Sequence, residues 1–335
     1  TGDPMDEQGL QITGQWNVTT HEHWARVKGL RLDQRTRQMC PKVARVYWDE
    51  MGLEGQVSSA RINWKPDLQY QIDVTVDDVA LNLPVDLQGL WARYEDGGKQ
   101  VVEAAPRLHV DDGQIQLSPS GLKLQALQGH VIGSKSTQQL VPVPYTLDLT
   151  IHDLPDLDWK NREQWVVDAL QTAPFEMDFA LDEFGVGAGE NISADAVELP
   201  TLIAEIMTRF RMEDWSVTTT GSVSRPAPTM TDDGQRIAKP ITVSGRSRIR
   251  AAYAEYDKFP YPLDDIQAEL SFDNKGVRIE KFKARASGDT PIRLAGNVSL
   301  PGQDAAVDVE LTAEDAPIDQ RFRSALRGGN AEFYD

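Results

Sequence analysis

Residues 70–79 read YQIDVTVDDV, and large apolar side chains occupy every second position from Tyr70 to Val76. A period of two places the apolar side chains on one face of a β-strand and the polar ones on the other. Residues 145–154 (YTLDLTIHDL) alternate in the same way, and both stretches begin with Tyr and carry Asp at the fourth position. The two stretches therefore predict half-buried antiparallel strands that share one apolar face.

A short pattern centred on glycine recurs between such stretches. It occurs at 12–16 (ITGQW), 53–57 (LEGQV), 127–131 (LQGHV), 219–223 (TTGSV) and 294–298 (LAGNV). The alternating stretches at 70 and 145 begin 15 and 16 residues after Gly55 and Gly129, and a third, 305–311 (AAVDVEL), follows Gly296. Repetition of this kind predicts repeated β units.

A longer repeat links the two ends of the chain. Residues 32–37 (LDQRTR) match residues 318–323 (IDQRFR), 286 positions further on. Each copy follows a strand marked by glycine, and Asp33 and Asp319 are placed to cap a short helix. We interpret the chain as an excerpt of a longer modular array.

The repeats predict a division of the chain into six segments. These are end strands of a preceding repeat at 1–31, an inter-repeat helix at 32–51, a β repeat at 52–155, a helix-containing insertion or inter-repeat segment at 156–212, a β repeat at 213–315, and a truncated inter-repeat helix at 316–335. Within the insertion, Asp158 is placed to cap one helix and Pro200 to begin another.

Turn signals separate the strands at intervals of roughly ten residues, which is typical of all-β proteins. Examples are 111–113 (DDG), 118–121 (SPSG) and 273–276 (DNKG). These signals predict a mainly β fold of repeated antiparallel strands with a few short amphipathic helices, and a long curled sheet is one of its possible arrangements. Periodicity alone leaves a sandwich and a closed barrel open.

Composition excludes several classes of function. The chain has 52 acidic and 34 basic residues, and its net charge of −18 disfavours nucleic acid and anionic bilayer surfaces as partners. Its one cysteine, Cys40, excludes an internal disulfide and a zinc site built from cysteines. No apolar run reaches the ~20 residues of a membrane-spanning helix, so we expect membrane contact through parts outside this chain.

The sequence shows no catalytic constellation. His21 and His23 are a possible half of a metal site if they lie in a strand, whereas His109, His130 and His152 are isolated in the sequence and lack ligand spacing. The acid pairs 77–78 and 111–112 are expected to support turns rather than bind calcium. We therefore predict a protein that is not an enzyme, with no catalytic residue, metal or cofactor.

The repeats resemble the AsmA-like superfamily of bridge-like lipid-transfer proteins, whose members include TamB and YhdP. The likeness is carried by 53–57 and 294–298, by the alternating strand 276–284 (GVRIEKFKA), and by 313–321 (AEDAPIDQR), which enters a short helix after a strand. The resemblance implies a long curled antiparallel sheet built of repeats that forms a β-groove. It also implies a location in the periplasm or cell envelope of a double-membraned bacterium, with an anchor in a segment outside this chain.

The function implied by the resemblance is to shield or conduct phospholipid, or another acyl-chain lipid, between membranes, with envelope proteins as further partners. An apolar trough suffices for this, because each methylene withdrawn from water contributes ~0.8 kcal/mol. The inward-facing groove candidates are Ile72, Val74, Val76, Leu147, Leu149, Ile151, Leu270, Phe272, Ile279, Val307, Val309 and Leu311. The alternative is a structural or interaction module of stacked β repeats with a closed core and no ligand.

Overall fold

A computed structural model describes residues 10–39, 45, 48–49, 51–64, 70–82, 92–95, 99–102, 107–132, 143–152, 172–186, 210–232, 236–256, 259–286, 289–299, 307–315 and 320–325. The strands are β1 (Gln11–Trp16), β2 (His23–Leu32), β3 (Glu54–Trp64), β4 (Tyr70–Asn82), β5 (Ala92–Glu95), β6 (Lys99–Val102), β7 (Arg107–Ser118), β8 (Gly121–Ile132), β9 (Val143–His152), β10 (Phe175–Val186), β11 (Glu213–Arg225), β12 (Thr229–Met230), β13 (Arg236–Ile237), β14 (Thr242–Tyr256), β15 (Phe259–Asp273), β16 (Gly276–Ala286), β17 (Thr290–Ser299) and β18 (Val307–Ala313). Two short helices are described, α1 (Gln34–Met39) and α2 (Gln320–Ala325).

Fourteen strands form one sheet in the order β1-β2-β3-β4-β7-β8-β9-β10-β11-β14-β15-β16-β17-β18. Neighbouring strands pair antiparallel, and the small hairpins β5–β6 and β12–β13 are inserted between sheet strands. The prediction of a mainly β chain built on antiparallel strands is confirmed. The sheet is not strongly curled, in contrast to the predicted long curl. Alternation determines which side chains share a face, whereas curvature depends on twist and bulges, which alternation does not encode.

The turn predictions are partly confirmed. Residues 118–121 join β7 to β8, and 273–276 join β15 to β16, where Asp273 Oδ1 accepts hydrogen bonds from the backbone N–H groups of Lys275 (2.7 Å) and Gly276 (3.1 Å). The predicted turn at 111–113 is wrong, because these residues lie inside β7 at register shifts in its pairing with β8. A bulge admits the same Asp and Gly residues as a turn, so the sequence signal was ambiguous.

The helices α1 and α2 begin at positions 286 residues apart, as the longer repeat predicts. The Asp33 cap is confirmed, since its Oδ1 accepts a hydrogen bond from the Thr36 N–H at 2.8 Å. Asp319 and the helices predicted within 158–209 lie outside the described residues. None of the helices within the described ranges has the length and hydrophobicity needed to cross a bilayer.

Buried side chains form two clusters on the sheet. One includes Val76, Val110 and Leu127, and the other includes Val217 and Ile266. Phe322 of α2 packs against the second cluster, where its ring meets Tyr261 edge-on at 5.9 Å. The residues before β3, including Met51 and Leu53, pack against the first cluster.

Candidate functional site

One side of the fourteen-stranded sheet is mainly apolar from the β1 edge to the β18 edge, and we call it the apolar face. Directly paired residues on adjacent antiparallel strands place their side chains on the same face. One row of such pairs runs from β1 to β14 through Ile12, Val27, Ala60, Val74, Ile115, Leu124, Leu149, Met177, Val223 and Val243. A second row runs from β9 to β18 through Leu147, Phe179, Gly221, Gly245, Phe272, Val277, Val298 and Val307.

All twelve predicted groove residues occupy register positions on the apolar face. Ile72, Val74 and Val76 lie on β4, and Leu147, Leu149 and Ile151 lie on β9. Leu270 and Phe272 lie on β15, Ile279 lies on β16, and Val307, Val309 and Leu311 lie on β18. Their burial differs widely: Val76 is 2% exposed, whereas Leu311 is 54% exposed. The face is thus packed in its interior and open at the β18 edge.

The β1 edge is open as well. Ile12 and Trp16, which lie on the apolar face of β1, are 65% and 67% exposed. Large apolar side chains are therefore exposed at both ends of a face whose interior is buried. Exposed apolar surface that continues a buried face is typical of a binding surface rather than of isolated surface residues.

An aromatic ladder borders the apolar face across the first four strands. Trp16, His23, Trp64 and Tyr70 are direct cross-strand neighbours, and their rings stack in sequence with centroid separations of 5.2, 6.0 and 6.2 Å. The sequence alone did not indicate this ladder. Pairing of strand ends creates it, and only the register reveals that pairing.

The middle of the apolar face is lined by small residues. Thr219 and Ser247 are directly paired, and their hydroxyl groups form a buried hydrogen bond of 2.9 Å. Next to them the paired Gly221 and Gly245 lie beneath phenylalanine rings, and a Cβ on Gly245 would come within 2.4 Å of the Phe272 ring. On β11 and β14 this strip lies between residues of the two buried clusters, whereas Val131 and Leu181 pack against both clusters.

The opposite side of the sheet, the polar face, carries charged side chains. Arg248, Glu269 and Lys281 are cross-strand neighbours on β14, β15 and β16. Lys281 Nζ donates a hydrogen bond of 3.1 Å to Glu269 Oε2, and this contact lowers the pKa of Glu269. The sheet is therefore two-sided: one face is mainly hydrocarbon, with the buried Arg225 over the Phe175 ring as an exception, and the other face carries ionised groups.

The structure changes the interpretation of the histidines. His109 and His130, which are isolated in the sequence, are directly paired on β7 and β8. Their positions are symmetric about the turn at 118–121, and this spacing was the signal available in the sequence. His23 stacks between Trp16 and Trp64, whereas His21 precedes β2 with a φ of 54°, so the strand geometry required for the predicted half-site is absent.

Comparison with known proteins gives no relative: no family model, no curated protein and no solved structure matches this chain.

Proposed function

We propose that this chain is a non-enzymatic, lipid-binding segment of an AsmA-like envelope protein, and that its apolar face shields phospholipid acyl chains. The observation that supports the proposal best is the continuity of the apolar face, which extends from exposed Ile12 on β1 to exposed Leu311 on β18. The resemblance of the repeats to the AsmA-like superfamily suggests phospholipid as the ligand and the periplasm as the location.

The dimensions of the sheet suit an acyl chain. Strands spaced about 4.8 Å apart make a fourteen-stranded sheet about 60 Å wide, and one acyl chain spans half of a hydrocarbon core of about 30 Å. Withdrawing about fifteen methylenes from water is worth roughly 12 kcal/mol. Contact with aliphatic side chains provides this energy without directed polar bonds, so neither a catalytic group nor a cofactor is required.

The open edges and the aromatic ladder fit the same proposal. A lipid that moves along the sheet needs an entry where apolar side chains are accessible, and Ile12, Trp16 and Leu311 provide accessible apolar surface at the two edges. Indole rings prefer boundaries between apolar and polar surroundings, and Trp16 and Trp64 lie at such a boundary. We propose that bound chains enter at an edge and lie across the strands, with the groove completed by repeats of the same kind.

The most deeply buried residues favour the alternative function, a structural or interaction module with a closed core. Val110, Val217 and Ile266 are each 1% exposed, so lipid has no access to them in this conformation. The two functions differ in where lipid would be found. A lipid-binding segment holds lipid on the half-buried and exposed parts of the apolar face, whereas a structural module holds none.

Native mass spectrometry and solvent extraction of the chain purified from a double-membraned bacterium test the proposal. We expect phospholipid at a defined stoichiometry, and we expect less of it in a Leu311→Glu variant, which places a charge on the apolar face. Thr312→Glu, on the opposite side of the same strand, is the matched control and should retain the lipid. A purified chain free of phospholipid would support the structural module instead.

A further inference from the structure

Four side chains on three adjacent strands converge on the polar face, away from the proposed lipid surface. They are Asp78 on β4, His109 and Asp111 on β7, and His130 on β8. His109 Nδ1 lies 3.0 Å from Asp111 Oδ1, His109 Nε2 lies 2.9 Å from Asp78 Oδ1, and His130 Nδ1 lies 3.2 Å from Asp111 Oδ2. The two imidazole rings stack with their centroids 4.6 Å apart.

The number of N–H groups available on the His109 ring favours a positive charge at this cluster. A neutral imidazole carries one N–H, whereas His109 faces a carboxylate oxygen at each ring nitrogen. If Nε2–H donates to Asp78, then the Nδ1 lone pair and the Asp111 oxygen face each other at hydrogen-bond distance with no proton between them. A positive charge, carried either by a second proton or by a metal ion, removes this repulsion.

Further carboxylates surround the cluster. Asp77 and Asp112 adjoin Asp78 and Asp111 in the sequence, and Asp112 lies at a register shift between β7 and β8 while Asp77 lies at one between β3 and β4. Burial raises the pKa of Asp77, and the charges of Asp78 and Asp112 raise it further. Four aspartates and two histidines thus lie together, while Arg107, two positions before His109 on β7, is paired with Glu54 at 3.1 Å. The negative potential of the carboxylates favours a bound cation.

We propose that His109, His130 and Asp111 bind a divalent transition-metal ion of the zinc class, and that Asp78 orients His109. One ligand atom from each of these three residues lies within 4.8 Å of the others, and the carboxylate-to-imidazole contacts are 3.0 and 3.2 Å. Tetrahedral zinc with bonds of about 2.1 Å separates its ligand atoms by about 3.4 Å, so small side-chain rotations complete the set. Imidazole ligands favour zinc, copper or nickel over calcium and magnesium.

Asp78 has the position of an outer-shell carboxylate. Metal-bound imidazoles commonly donate their second N–H to a carboxylate, which fixes the tautomer and the ring orientation. The contact of His109 Nε2 with Asp78 leaves Nδ1 directed at the metal position beside Asp111. The backbone is held as well, because the Tyr145 hydroxyl donates to the His109 carbonyl oxygen at 3.1 Å. Three protein ligands leave one tetrahedral position open to water.

Titration of the purified, chelator-treated chain with zinc chloride tests the site by calorimetry. We expect one zinc per chain, at least tenfold weaker binding in His109→Gln and His130→Gln, and about tenfold weaker binding in Asp78→Asn. His152→Gln removes an exposed histidine at the end of β9 and should leave the affinity unchanged.

A second measurement needs no variant. Diethyl pyrocarbonate modifies accessible imidazoles, and mass spectrometry of the wild-type chain locates the modified residues. Zinc should protect His109 and His130 but not His152. Absence of saturable zinc binding, binding that His109→Gln leaves unchanged, or equal modification with and without zinc would each overturn the proposal.

Discussion

Truncation of Ile266 to alanine tests whether the apolar face has a densely packed interior. Ile266 is 1% exposed, is paired with Ala251 on β14, and belongs to the same buried cluster as Ala268 and Ala284. The substitution removes three carbon atoms, worth ~0.8 kcal/mol each, or about 2.4 kcal/mol in transfer free energy. Since alanine neighbours cannot extend into the space, a cavity term brings the expected loss to about 3–4 kcal/mol.

Urea denaturation followed by circular dichroism measures the free energy of unfolding. Ile12→Ala, which makes the same chemical change at a side chain that is 65% exposed, is the matched control and should cost less than about 0.5 kcal/mol. A loss below about 1 kcal/mol for Ile266→Ala would show that the interior of the apolar face is not densely packed in solution.

Two further predictions concern buried polar groups. Thr219→Val leaves the buried Ser247 hydroxyl without its 2.9 Å partner and should cost about 1–3 kcal/mol of the free energy of unfolding, whereas the double variant Thr219→Val with Ser247→Ala should be close to neutral. Urea denaturation of the two single variants and the double variant measures the coupling energy between the two hydroxyl groups. Additive costs would contradict their hydrogen bond. Burial, with a smaller effect of Asp111, raises the pKa of Tyr145, so the folded state holds this proton more tightly than the unfolded state. Stability should therefore decline as the pH rises above about 10, and Tyr145→Phe should remove part of that decline in alkaline melting curves; an unchanged pH dependence would count against the buried phenol.

The strands were predictable because alternation is a local signal. The stretches 70–79 and 145–152 lie in β4 and β9, and one apolar face carries Ile72 and Leu147 as the period of two requires. The turn at 111–113 failed because Asp and Gly support bulges as well as turns. The weak curl of the sheet could not be derived, since curvature depends on the accumulated twist of many strand pairs.

The two candidate sites differ in how far the sequence could predict them. That the twelve groove candidates share one face was predictable, because the orientation of each depends only on the pattern of its own strand. The histidine cluster requires the register of three strands, since His109, His130 and Asp78 are far apart in the chain. Counting outward from the turn at 118–121 would have paired His109 with His130, but Asp78 comes from another strand pair. Contacts that depend on non-local pairing are beyond the reach of a single sequence.

Site-specific photocrosslinking in living cells tests the lipid-binding claim most directly. A photoreactive residue is placed at Ile12, Leu149 or Leu311 on the apolar face, and at their polar-face neighbours Thr13, Thr150 and Glu310 as controls. We predict phospholipid adducts at the three apolar positions and none at the three controls. Absence of lipid at all six positions, or equal labelling of both faces, would contradict it.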